Sequence, residues 1–240
     1  MNAISELPTV LLVQGAWHHP DAWLLLRGAL FLRGVRTAVT NLPSAGAAPT
    51  GSMYDDAAAI SAALEEIKGP AVVVAHSYGG VPATQATASA PNVRQLIYLS
   101  AYVPDENESV LSLHGQPDPH DTSGFFPTIA SPRQSLYADL SDEQAAAAES
   151  RLMNQTMQSF VDRVTAAGWK DVPTSYIVSD QDQAIPPAMQ IEMAHAAGAE
   201  ILHVYSSHSA FLSQPAQLAD LIVQVAAGLH PEDRTSATSS

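Results

Sequence analysis

The chain has 240 residues, a formal charge of −14 and no cysteine. That length fits one α/β domain with a substantial core, and the missing thiol excludes disulfides, thiolate metal sites and a cysteine nucleophile. The negative charge argues against nucleic acid or an anionic membrane as partner. No apolar run reaches the roughly 18 residues of a transmembrane helix, and Met1–Glu6 lacks the basic-then-apolar pattern of a secretory signal. The cytoplasm is therefore the expected compartment.

In chain order, Thr9–Val13 reads as a buried strand and Asp21–Leu32 as a helix stopped by Gly34. Val35–Leu42 reads as a second strand ended by Pro43, and a turn-rich loop follows to Ser52. Met53–Ile67 is an Ala-rich helix closed by Gly69-Pro70. Ala71–Ala75 is a third strand, Val81–Ala90 a helix and Val93–Leu99 a fourth strand. Between Val103 and Val172 the strand pattern fades. Ser141 and Gln144 have the spacing of a capping box that opens a helix to Glu149, and Met153–Ala167 reads as a second amphipathic helix. The alternation returns with strands at Thr174–Val178 and Glu200–Tyr205 and helices at Ala188–Ala197 and Gln214–Leu229. Residues 230–240 read as a polar, disordered tail.

Strands rich in Val, Ile and Leu, each followed by a helix, imply a mostly parallel six-stranded sheet covered on both faces. The expected core is 8–102 plus 173–229, with 103–172 inserted between the fourth and fifth strands as a helical cap. Such a cap would sit over the carboxyl ends of the strands, where open α/β sheets bind ligands.

The most informative stretch is Val72-Val73-Val74-Ala75-His76-Ser77-Tyr78-Gly79-Gly80. A buried-type strand runs into a serine with very small residues two positions away on each side, and a helix follows. This is the layout of a nucleophile elbow, which holds a serine at the tip of a sharp strand-to-helix turn. A serine hydroxyl needs a base to take its proton, and the base needs an acid to hold its tautomer. His208 follows the last strand directly and is the candidate base; His203 lies within that strand and reads as structural. Asp180 and Asp182 both lie just past the preceding strand and are both candidate acids. The oxyanion of acyl transfer needs backbone donors: Tyr78, after the nucleophile, is one, and the loop Gln14-Gly15-Ala16-Trp17 supplies the other, taken as Ala16.

The elbow Ala75–Gly80, the loop Gly15–Trp23 and the segment His208–Pro215 resemble the small α/β-hydrolases. That group includes methyl salicylate esterases, polyneuridine aldehyde esterase, EstC-type carboxylesterases and plant hydroxynitrile lyases. The resemblance spans about Thr9 to Leu229 and implies the α/β-hydrolase fold, a Ser-Asp-His triad and no cofactor. The group's Asp-x-x-x-Pro acid motif matches Asp182–Pro186, which selects Asp182 over Asp180. Two positions depart from the group: Gln14 stands where His is usual, and Ala75 where Gly is usual. The lyases of the group carry Thr at position 15 and Lys after the catalytic histidine; here these are Gly15 and Ser209.

The sequence thus implies a serine carboxylesterase for small neutral apolar or aryl esters. A non-catalytic ligand receptor, a hydroxynitrile lyase, and a cofactor-free lyase or oxygenase are the alternatives. Trp17, Leu111, Phe125, Phe126, Met153, Met157 and Phe211 are the expected pocket walls, although Met153 and Met157, spaced i and i+4, also suit a cap core. His114, Asp118, His120 and Asp121 cluster without ligand spacing, so no metal is expected, and His18-His19 reads as loop surface. A homodimer is compatible with the sequence.

Overall fold

A computed structural model describes residues 7–228. Nine strands occur among them: β1 (Thr9–Val13), β2 (Thr37–Val39), β3 (Ala45–Gly46), β4 (Ala71–His76), β5 (Val93–Leu99), β6 (Phe125–Phe126), β7 (Asn154–Thr156), β8 (Thr174–Ser179) and β9 (Glu200–Val204). The α-helices are α1 (Leu24–Phe31), α2 (Met53–Glu66), α3 (Gly80–Thr87), α4 (Val110–Leu113), α5 (Pro132–Ser135), α6 (Asp142–Glu149), α7 (Met157–Val161), α8 (Pro187–Ala196), α9 (Ala210–Ser213) and α10 (Pro215–Ala226).

Six strands form one parallel sheet in the order β2-β1-β4-β5-β8-β9. In β4 every residue is buried, so its Val-rich run meets apolar side chains on both faces. Val73 and Ala75 pack on one face with Ile60 and Leu64 of α2 and Val81 of α3. Val72 and Val74 pack on the other with Leu26 and Leu30 of α1 and Leu218 and Ile222 of α10. The period of two in the strand therefore splits one apolar run between two cores.

Helix ends follow local chemistry. Ser52 caps α2 in a box with Asp55, and Ser141 caps α6 in the expected box with Gln144. Pro215 opens α10, where a missing N–H costs nothing. Leu229 and the tail at 230–240 lie outside the described residues.

The structure corrects several expectations. The second strand covers three residues rather than Val35–Leu42. Its start is drawn into the end of α1, where the Val35 amide donates to Leu30 O, and its end is taken up by Gln14, described below. The first helix opens with a 3-10 turn at Pro20–Trp23, set by the His19 side chain accepting from the Asp21 amide. The cap between β5 and β8 is not purely helical. Residues 154–156 form β7 rather than the start of a helix, and only Met157–Val161 is helical. β7 is the centre of a small antiparallel sheet, β3-β7-β6, whose β3 comes from the loop before α2. The cap is thereby stitched to the core: the Thr156 amide donates to Ser44 O and its hydroxyl to Gly51 O. Among the described residues no helix is long and apolar enough to cross a membrane.

Candidate active site

The carboxyl ends of β1, β4, β8 and β9 meet at one edge of the sheet. Ser77 leaves β4 with φ 54°, a left-handed conformation that is rare for serine and costs on the order of 1–3 kcal/mol. Close packing holds it there. A Cβ on Gly79 would lie 2.4 Å from Gln14 O, and one on Gly15 would lie 2.8 Å from Ser77 Cβ. The backbone of the β1 loop is thus pressed directly onto the elbow.

His208 follows β9 and is buried. Its Nδ1–H donates to Asp182 Oδ2 at 2.7 Å, and neither side chain is more than 1% exposed. Asp182 is fully committed: Oδ1 accepts the amides of Ala184 (2.7 Å) and Ile185 (3.0 Å), and Oδ2 also accepts from Gln190 Nε2 at 2.9 Å. Four donors on one carboxylate fix its direction. Asp180 instead bonds the more exposed His203 at 2.7 Å. Nε2 of His208 bonds no group among the described residues, and Nδ1–H binding to a carboxylate leaves Nε2 as the basic nitrogen.

Two further histidines build the base side. His76 lies with its ring 4.5 Å from that of His208, and its Nε2–H donates to His208 O at 3.0 Å. Burial, followed by the neighbouring imidazole of His208, holds His76 well below the usual histidine range. His18 is buried, contrary to the expectation of a surface loop. Its Nδ1–H donates to Ala16 O at 2.8 Å, and its Nε2 accepts from Tyr137 OH at 2.9 Å. Burial pushes its pKa down to about 4, so the ring is neutral. The cap also braces the base: Asp139 accepts from the amide and the hydroxyl of Ser207, the residue before His208.

The amides expected as oxyanion donors belong to the β1 loop and to the elbow itself. The Ala16 amide has no acceptor among the described residues. The Tyr78 amide opens a 3-10 turn, where amides lack helical partners. Gln14, in place of the group's histidine, turns away from Ser77: its amide donates to Thr40 O (2.9 Å) and accepts from the Leu42 amide (3.3 Å). The side chain of Tyr78 runs inward, and its hydroxyl donates to Asp56 Oδ2 at 2.6 Å. Asp56 also accepts the Ser44 amide at 2.9 Å and the Ser44 hydroxyl. Desolvation raises the Asp56 carboxyl to about 6 against these bonds. Ser44 Oγ accepts from Gln155 Nε2 at 2.5 Å, and Gln155 Oε1 accepts the Trp17 amide at 3.2 Å.

The expected pocket walls divide. Trp17 and Phe126 meet over Phe160, whose ring stacks on Phe126 at 3.9 Å and on Tyr78 at 5.3 Å. Phe125 is corrected: it is 48% exposed, because residues alternate across β6 and Phe126 takes the inner face. Phe211 is also corrected: it packs on Trp23 (4.7 Å) and His76 (4.9 Å), behind the base, in the core under α10. Leu111 packs at the margin of the main core. Met157 is half-buried at the start of α7, its amide bonded to Gly124 O. Met153 lines a cleft of about 770 Å³ that lies between Leu24 and Leu25 on one wall and Ala148 and Leu152 of the cap on the other. Ser77 does not line this cleft; the buried His18 and Tyr137 do.

Elsewhere, His114 bonds Tyr102 OH, Asp118 pairs with Arg163, and Asp121 caps the Ser123 amide. Among the described residues no group of three potential metal ligands converges. His76, Asp56, Gln155 and Gln190 were given no role from the sequence, and His18 was read as loop surface. Asp56 alone carried a signal: it sits on the apolar stripe Met53, Ala57, Ile60 and Leu64 of α2, where a carboxylate must be partnered.

A model of the alpha/beta hydrolase family matches residues 10–221. A curated relative, the probable hydrolase R7 of Phoma sp., is 28% identical over 91% of this chain and 98% of its own. Among solved structures, polyneuridine aldehyde esterase superposes with a TM-score of 0.78 at 18% identity, over 91% of this chain and 99% of its own. Methylesterase MES16 from Arabidopsis superposes with a TM-score of 0.76 at 21% identity, over 92% and 99%. At these identities the two structures show a shared fold.

Proposed function

Because the chain belongs to the alpha/beta hydrolase family, we propose that it is a serine carboxylesterase acting on small neutral apolar or aryl esters through an acyl-enzyme on Ser77. The observation that carries this reading is the buried His208–Asp182 pair at the sheet edge where the elbow holds Ser77 in a left-handed conformation.

In this mechanism His208 Nε2 takes the Ser77 Oγ proton as Oγ attacks the ester carbonyl. Asp182 keeps Nδ1 protonated and balances the imidazolium that forms. The Ala16 and Tyr78 amides receive the oxyanion, and each such donor is worth about 100- to 1000-fold in rate. The imidazolium returns the proton to the departing alkoxide and the alcohol leaves. Water, deprotonated by Nε2, then attacks the acyl carbon, and the proton passes to Ser77 as the acid departs. Every step uses groups of the chain and one water.

The names of the similar structures, an aldehyde esterase and a methylesterase, agree with ester chemistry. Gly15 and Ser209 stand where the lyases of the group carry Thr and Lys, which favours hydrolysis over cyanide release. Turnover of p-nitrophenyl acetate and butyrate tests the reading. The wild type is expected to release a burst of nitrophenol followed by steady turnover, and Ser77→Ala to lose about 10⁴-fold or more while remaining folded. A folded Ser77→Ala variant with full turnover would overturn it.

A further inference from the structure

Both halves of the oxyanion hole lead into one buried hydrogen-bond network. From the β1 loop, the Trp17 amide donates to Gln155 Oε1 at 3.2 Å. Trp17 has φ 63°, so this bond holds a strained residue directly after Ala16. Gln155 Nε2 donates to Ser44 Oγ (2.5 Å) and Ser159 Oγ (3.0 Å). Ser44 donates its amide and hydroxyl to Asp56, which accepts Tyr78 OH at 2.6 Å. Gln155, Ser44, Ser159, Asp56 and Tyr78 are all completely buried.

Polar groups enclosed this far are costly unless each is satisfied, and a complete network is correspondingly rigid. Two features make this one more than a structural filler. It spends the Trp17 amide on a side chain and so leaves the Ala16 amide as the donor of that loop. It also ends on the side chain of the residue whose own amide is the second donor. Its central member, Gln155, belongs to β7 and is contributed by the cap.

Building on the esterase reading, we propose that Gln155 and Asp56 are positioning residues for the oxyanion hole: through Ser44 they lock the Trp17 loop and the Tyr78 elbow together, so that the two donors are aligned only with the cap seated. Neither touches the substrate. Their effect falls on the transition state, because the oxyanion forms there and not in the bound ester.

The test compares an oxoester with its thionoester analogue in the wild type, Gln155→Met and Tyr78→Phe. Thiocarbonyl sulfur is larger and a poor acceptor, so the oxo:thiono ratio of kcat reports donor alignment, which general loosening of the fold does not move selectively. Gln155→Met removes the central link; Tyr78→Phe removes one hydroxyl, keeps the ring and amide, and carries the test if Gln155→Met fails to fold. For each, kcat on the oxoester is expected to fall roughly 10- to 100-fold, with the oxo:thiono ratio falling in parallel. KM should stay within about 3-fold, the pattern of an interaction made only in the transition state. An unchanged ratio in folded Gln155→Met or Tyr78→Phe, with the wild type turning over and Ser77 labelled by a fluorophosphonate, overturns this proposal alone. Failure of the wild type to hydrolyse the oxoester or to be labelled sinks the esterase reading and this proposal with it.

Discussion

Two buried polar clusters flank Ser77, and they are built from opposite chemistry. On the base side three imidazoles, His18, His76 and His208, pack within 6 Å of their neighbours, with one carboxylate, Asp182, behind the last. On the oxyanion side a single carboxylate, Asp56, is enclosed by hydroxyls, amides and an aromatic stack. Burial acts on both, but it disfavours whichever form is charged. It keeps His18 and His76 neutral and drives Asp56 toward its neutral acid. Asp182 has four nitrogen donors, one of them His208 Nδ1, whereas Asp56 has one amide and two hydroxyls. On the proposed mechanism, the contrast separates the residues that hold charge during the reaction from those that fix geometry.

The largest test of this contrast is Asp182→Asn. It keeps the shape of the base side but would reverse the tautomer of His208, and kcat should fall by about 10⁴-fold. A loss of less than 10-fold in steady-state assays would mean that another group carries that role.

The next test is pH-dependent stability, where the two clusters should pull in opposite directions. His18 has a folded pKa of about 4 against an ordinary 6.5, so unfolded chains bind more protons between those values. Its contribution is complete above pH 6.5 and is lost as the pH falls toward 4. Asp56 has a folded pKa of about 6 against an ordinary 3.8, so the folded chain binds more protons between them. Its contribution is complete below 3.8 and is lost as the pH rises through 6. Each window is worth on the order of 3 kcal/mol. Chemical denaturation from pH 4 to 7 should therefore show a steeper rise of stability with pH in Asp56→Asn than in the wild type. His18→Gln should flatten the rise or reverse it. Parallel curves for all three proteins would contradict the assignment.

The smallest expected effect belongs to Asp180. It lies two residues from Asp182 but bonds the more exposed His203, so Asp180→Asn should leave kcat within about 2-fold and stability within about 0.5 kcal/mol. A large loss of activity would move the catalytic acid to Asp180.

The fold was legible because it rests on long-range regularities that a sequence displays. The Val-rich run of β4 needs apolar neighbours on both faces, and the strand–helix alternation allows few other topologies. The elbow was legible for the same kind of reason: only very small residues can stand where Gly79 meets Gln14 O. The cap was less so. β7 and β6 are three and two residues long; β6 pairs with β7, and β7 with β3, more than a hundred residues away, so no local pattern announces them. The short α7 ends at Asp162, which adopts an extended ψ while its carboxylate accepts from the Met53 amide, again a partner distant in sequence. Phe125 and Phe126 could not be told apart until the register of β6 on β7 fixed which one faces inward. The polar network failed to show for a related reason. Ser44 and Gln155 are ordinary residues whose role comes from meeting, and only Asp56, a carboxylate on an apolar helix face, advertised itself.

The most direct measurement is intact-protein mass spectrometry of the enzyme quenched during turnover of p-nitrophenyl butyrate, followed by peptide mapping. The account predicts a butyryl adduct confined to the peptide carrying Ser77, absent in Ser77→Ala and formed far more slowly in His208→Ala. Hydrolysis that proceeds with no adduct at Ser77, or with an adduct on another side chain, would contradict it.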